Sequence, residues 1–257
     1  MRRLSALVIP TLLLLAIGVF IPVANAQCTP TTGTAGDDII TCAGNDFDGV
    51  NTGTGNDTVN VVSGTTVNTV INEGGSLLII VNGGALNTTV NNTDGARING
   101  DGTVDLRGDV TAGYSGIVVL GNGRILILGN ITANQAGASL GSGQVSFTGN
   151  IVATYSDGIY VAGSGQVSGG GSIQAGGDGI DLGTGTVSFT GTIGSTFSNG
   201  INVRGPGSVS AGGWITVSQT GIWLGSGSVV FTGRISAANS DGIHVDGVGQ
   251  VSAQGTI

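Results

Sequence analysis

Glycine returns along this chain at positions 74, 95, 116, 137, 158, 179, 200, 221 and 242, always at the same interval of 21. With 51 glycines in 257 residues, chance does not produce nine in one register. A repeat of this length is one supersecondary unit that cannot bury its apolar side alone, so successive units must stack. From Gly116 onward the glycine is usually followed by apolar-x-apolar, as in Ile117/Val119, Ile159/Val161, Ile180/Leu182, Ile201/Val203, Ile222/Leu224 and Ile243/Val245. Alternation over so few residues predicts a short, half-buried strand.

A second strand follows a Gly-x-Gly turn, for instance Val145-Ser146-Phe147 and Val187-Ser188-Phe189. A third centres on Ile131, Ile151, Ile173, Ile193, Ile215, Ile235 and Ile257, whose spacing alternates between 20 and 22, so a super-period of 42 overlies the shorter one. It returns in side-chain size, as Phe147, Gly169, Phe189, Ala211, Phe231 and Ala253 alternate large and small. These observations predict an all-β chain wound as a right-handed parallel β-helix of about 21 residues per rung, the hand following from the crossover rule. Stacked rungs place equivalent residues in columns about 4.8 Å apart. A ring can then lean over the small residue beside it. A β-sandwich would have no reason to keep matched volumes at a fixed interval.

Collagen is excluded because glycine follows no triplet, and disorder because the mean hydropathy is +0.36 and only 9% of residues are charged. There is no lysine, and 15 acids outnumber seven arginines, so a phosphate-neutralising surface for nucleic acid is missing. Arg2 and Arg3 precede an apolar stretch from Leu4 to Val23 that ends in Ala24-Asn25-Ala26, the pattern of a secretory signal peptide over residues 1–26, cleaved before Gln27. Cleavage takes the formal charge from −8 to −10. Cys28 and Cys42 then open an exported chain in an oxidising compartment, and they are expected to pair. Residues 27–73 read as a disulfide-stapled cap with degenerate Gly-Asp repeats and 74–257 as the β-helix. Ile257 falls in an unfinished rung without a polar cap, so the chain is expected to be the front part of a longer protein.

The leader, the Cys pair, the Asn/Thr/Val-rich stretches Val59-Asn60-Val61 and Val67-Asn68-Thr69-Val70, and the glycine-rich rungs together resemble the passenger region of a bacterial autotransporter. The resemblance covers residues 27–257. It implies a β-helix displayed at the cell surface by a downstream outer-membrane barrel, in a family whose passengers include adhesins, biofilm factors, proteases and esterases. Gly36-Asp37-Asp38-Ile39-Ile40, Gly44-Asn45-Asp46 and Gly55-Asn56-Asp57-Thr58-Val59 resemble the Gly-Asp repeats of hemolysin-type calcium-binding proteins. That resemblance implies calcium at Asp38, Asp46 and Asp57 as the one alternative to a cofactor-free protein. The unequal steps from Asp38 to Asp46 and from Asp46 to Asp57 break the register such a repeat needs, and Asp and Asn also form turns ahead of short strands.

Two columns carry candidate chemistry. Asp94, Asp157, Asp178, Asn199 and Asp241 directly precede the repeating glycine, where Asp-Gly and Asn-Gly are also ordinary turn chemistry, and Ser115, Ala136 and Thr220 share the column. The outward residues of the first strand are Tyr160, Asp181, Asn202, Trp223 and His244. Rings beside hydrogen-bonding groups suit a ligand-binding strip for sugars, against the ordinary alternative of a solvated sheet face. Ser240, Asp241, His244 and Asp246 crowd one strand and its turn without a nucleophile elbow, so acyl transfer is not expected. Asn-x-Thr tripeptides such as those at Asn56 and Asn130 matter only in a glycosylating host.

The leading expectation is a non-enzymatic adhesin or stalk, secreted or at the cell surface, that meets glycans or proteins of a host or neighbouring cell and is open to end-to-end self-association. The alternatives are a polysaccharide-active enzyme using Asp157, Asp178 and Asp181, and a calcium-organised surface-layer component.

Overall fold

The computed structural model describes residues 28–74, 76–88 and 92–257, so the leader expected over 1–26 lies outside the described residues. The fold is an all-β parallel solenoid of about ten turns with about 21 residues per turn. It opens with β1 (Cys28–Thr29), β2 (Ile39–Cys42), β3 (Val50–Asn51), β4 (Asp57–Val61), β5 (Thr66–Val67) and β6 (Val70–Asn72). It continues with β7 (Ser76–Asn82), β8 (Ala85–Asn87), β9 (Ala96–Ile98), β10 (Gly102–Arg107), β11 (Val110–Ala112), β12 (Ile117–Leu128) and β13 (Ile131–Ala133). The long strands β14 (Ala138–Ala153), β15 (Ile159–Ala175), β16 (Ile180–Ser195), β17 (Ile201–Val217) and β18 (Ile222–Ala237) follow, then β19 (Ile243–Val245) and β20 (Gly249–Thr256).

Three parallel ladders run along the molecule. The first joins β3, β6, β9 and the start of β12, the second joins β2, β4, β7, β10 and the end of β12, and the third joins β5, β8, β11 and β13. From β14 to β18, the three predicted short strands of a turn fuse into one strand of 16 or 17 residues with a register shift at its first corner, as between Val161 and Ser164, and in the last turn they separate again into β19 and β20. The only antiparallel pair among the described residues is β1 with β2, which sets Cys28 opposite Cys42, and a disulfide joins them.

From Gly95 onward the repeating glycine is required by close approach rather than by its own dihedral freedom, whereas Gly74 has a φ of +143° and nothing near the place of a Cβ. A Cβ on Gly179 would stand 2.4 Å from Ile193 Cγ2 and 2.5 Å from the carbonyl oxygen of Gly200, and Gly158 and Gly221 meet the equivalent two obstacles. The third-strand isoleucine of each turn therefore fills the space that a side chain at the first corner would take. Positive φ governs a different corner: Gly185 sits at +122°, with the Gly165 carbonyl oxygen 1.9 Å from where its Cβ would be.

The bore is filled one layer per turn. Ile173, Ile180, Leu182 and Ile193 are fully buried, and burial of each aliphatic side chain contributes about 1.5–3 kcal/mol. Phe147 pairs in register with Gly169, Gly169 with Phe189, Phe189 with Ala211, and Ala211 with Phe231. The Phe147 and Phe189 rings stack across Gly169 with centroids 5.9 Å apart, as the alternation of volumes requires. The ladders extend upstream of Gly74 as far as Ile39, but their steps are uneven: Ile40 pairs with Val59, a short step, and Ile80 with Leu106, a long one. That irregularity hides these turns from any search for a fixed period.

Candidate functional site: an axial groove on the first-strand face

Outward residues of the first ladder follow one another in register from Arg97 through Val118, Ser139, Tyr160, Asp181, Asn202 and Trp223 to His244. The structure thus brings the expected column Tyr160, Asp181, Asn202, Trp223, His244 together and extends it toward the N-terminus. Concavities line this face. One of about 350 Å³ is bounded by Ile71, Asn92, Asp94, Arg97 and Tyr114. The next, about 310 Å³, runs from Asp94 and Arg97 past Tyr114 and Gln135 to Asp157 and Tyr160. A third, about 350 Å³, is formed by Asn199, Asn202, Arg204 and Trp223. The largest, about 590 Å³, lies at the following corner among Gln144, Ser164, Gln166, Thr184, Thr186 and Pro206. It offers neither a charge nor an aromatic ring, so its size carries no chemistry.

The residues that precede the repeating glycine form one wall of the groove, and their side chains act as a ladder of their own. Asp157 Oδ1 accepts the Asp178 N–H at 2.7 Å, Asp178 Oδ1 accepts the Asn199 N–H at 2.8 Å, and Asn199 Oδ1 accepts the Thr220 N–H at 3.0 Å. Asp94 Oδ1 does the same for Ser115 at 3.1 Å. Where this column carries Asp or Asn at positions 94, 157, 178 and 199, it therefore braces one corner against the next, as its turn chemistry implies. Asp178 is engaged further by Ser198 Oγ, by Asn199 Nδ2 at 3.1 Å and by Asn202 Nδ2 at 2.8 Å.

Arg204 reaches back across two turns. Its Nε stands 3.1 Å from Asp181 Oδ1, and its guanidinium carbon lies 5.5 Å from the centroid of the Tyr160 ring. The Asp181 contact is an ion pair without hydrogen-bond alignment, which leaves that buried oxygen with no hydrogen-bond donor. Burial raises Asp181 to about 6 against the opposing pull of Arg204, with the charge of Asp178 adding to the rise. Burial likewise raises Asp157 to about 6, countered by the Asp178 N–H and reinforced by the charges of Asp178 and Asp181. At the other end Arg97 Nη1 pairs with Asp94 Oδ2 at 2.8 Å and Arg97 Nε donates to Asn99 Oδ1 at 2.8 Å. Trp223 stacks on His244 with centroids 6.4 Å apart, and His244 Nδ1 lies 3.0 Å from Asp241 Oδ2. Ser240 Oγ bonds to Thr220 Oγ1 at 2.9 Å.

The three aspartates considered for calcium are spent on other donors. Asp57 is wholly buried, with Oδ1 accepting the Asp38 N–H at 3.1 Å and Oδ2 accepting Asn72 Nδ2 at 2.8 Å. Asp46 Oδ1 accepts the N–H groups of Asp48 and Gly49, and Asp38 Oδ2 accepts the Thr34 hydroxyl at 3.0 Å. Among the described residues no three His, Cys, Asp or Glu side chains gather as a metal site, so Asp38, Asp46 and Asp57 are not brought together. Sequence reasoning singled out Asp94 but missed Arg97 and Tyr114 beside it, and Arg204. The constant register from Tyr160 back to Arg97 was the signal that could have found the first.

The fold and the groove together define a parallel β-solenoid with an axial, ring-bearing surface. Compared with protein-family models, with curated proteins and with solved structures, the chain matches none.

Proposed function

We propose that this is an exported β-solenoid adhesin, secreted or displayed at the cell surface, that holds an extended glycan along the groove of its first-strand face. The observation that carries this reading is the register itself, which sets rings and hydrogen-bonding side chains in one file over concavities of about 310 to 350 Å³. The autotransporter resemblance belongs to the same reading, with an outer-membrane barrel as the element that would display it. Affinity electrophoresis against a glycan panel tests the groove. The wild type is expected to be retarded by at least one polymer and Trp223→Ala to lose most of that retardation, whereas equal mobility of the two sinks the reading.

One observation favours a second reading, cleavage of the bound polysaccharide: two carboxyl groups raised to about 6, Asp157 and Asp181, lie along the groove with Asp178 between them. Release of reducing ends, lost in Asp181→Asn and Asp178→Asn, would establish it, and no release from any polymer that binds would leave the adhesin reading alone.

A further inference from the structure

The groove carries the same constellation twice. At one end Asp94, Arg97 and Tyr114 line one concavity, and toward the other Asp181 pairs with Arg204, which shares a concavity with Trp223. Arg97 and Arg204 stand five turns apart on the same face, a span of ~24 Å at the strand spacing of stacked turns. The acids of both groups lie beneath the surface: Asp94, Asp178 and Asp181 are only 8%, 7% and 8% exposed, and each is engaged by the scaffold or by its arginine. The arginine side chains, by contrast, remain 34% and 44% exposed. Thus a protein of formal charge −8, without a single lysine, turns two of its seven arginines toward one groove, each beside a ring.

We infer that the groove recognises an acidic polysaccharide, a polyuronate whose ring carboxylates pair with Arg97 and Arg204 while its sugar faces lie against Tyr114 and Trp223. The inference rests on the proposed glycan groove and names its ligand class. A guanidinium presents donors in a fork that matches a carboxylate, which a hydroxyl-only polymer cannot use as well. Two such contacts on one chain act together, because engagement of the first raises the effective concentration at the second. Asn199 and Asn202 line the same concavity as Arg204, with their amide groups donating to Asp178 beneath it.

The test measures binding of polygalacturonate and polymannuronate, each before and after carboxyl reduction, to the wild type, Arg97→Gln, Arg204→Gln and the double variant. The expected result is binding of at least one polyuronate, about tenfold or more weaker binding of its reduced form, a several-fold loss in each single variant and near-complete loss in the double. Arg204→Lys keeps the charge opposite Asp181 but loses the fork, so it is expected to fold normally and still bind more weakly. Equal binding of acidic and reduced polymers, or undiminished binding by the double variant, overturns the inference while the groove stands. Failure to bind any of the four polymers also overturns it. If Trp223→Ala then leaves retardation by neutral glycans unchanged, the groove reading falls separately.

Discussion

At the scale of single residues, the interior is set by volumes matched one turn apart. A methyl group on Gly169 would stand 2.5 Å from Phe147 Cδ1, and the stacked Phe147 and Phe189 rings leave it nowhere to go. Gly169→Ala is therefore expected to cost about 1–3 kcal/mol by urea denaturation, and Phe231→Ala about 3–5 kcal/mol. Asp157 shows the opposite tension between burial and charge. Its acidity is weakened to about 6, above the ordinary carboxylate near 3.9, so the folded chain holds this proton more tightly than the unfolded chain. The resulting stabilisation is complete below about pH 4 and is lost as pH rises through about 6. Asp157→Asn keeps an oxygen for the Asp178 N–H, as Asn199 does for Thr220. It is expected to raise the melting temperature at pH 7.5 and to flatten its dependence between about pH 4 and 6.

At the scale of the strand and corner, the repeating glycine and the third-strand isoleucine are one device, since each occupies space the other leaves. Gly179→Ala sets a methyl against Ile193 and against the backbone of the next turn, and a loss of about 3 kcal/mol is expected in the same assay. Gly212→Ala is the control. Its Cβ would meet nothing closer than 3.4 Å, so the change should fall within about 0.5 kcal/mol. This coupling is why the turns from Gly116 onward were legible: a backbone contact enforced at every turn leaves the same letter at the same interval. The register also made the column from Tyr160 to His244 legible. Arg204 was not, because its partners Asp181 and Tyr160 lie one and two turns back, and a long side chain leaves no period. Asp57 was misleading for a related reason, as it points inward at a position where Leu78 follows, and its acceptor need is met by Asn72 from another ladder.

At the scale of the whole molecule, each turn touches mainly its neighbours, so stability is a sum of local terms rather than one cooperative core. The Cys28–Cys42 disulfide closes a loop of about 15 residues, worth roughly 3 kcal/mol in the chain-entropy model, and its benefit should stay near the end it staples. Hydrogen exchange after reduction is expected to lose protection in β2 and β4 while β16 and β17 remain unchanged. A uniform loss along the chain would show that the turns melt together.

The alternation of Phe147, Gly169, Phe189, Ala211 and Phe231 along the bore gives the molecule a parity. Excising one turn would bring ring against ring or gap against gap, whereas excising two would restore the original sequence of neighbours. Its length is thus quantised in pairs of turns. Any lengthening or shortening of this region by duplication or loss should proceed two turns at a time, so that the solenoid grows or shrinks only in even steps.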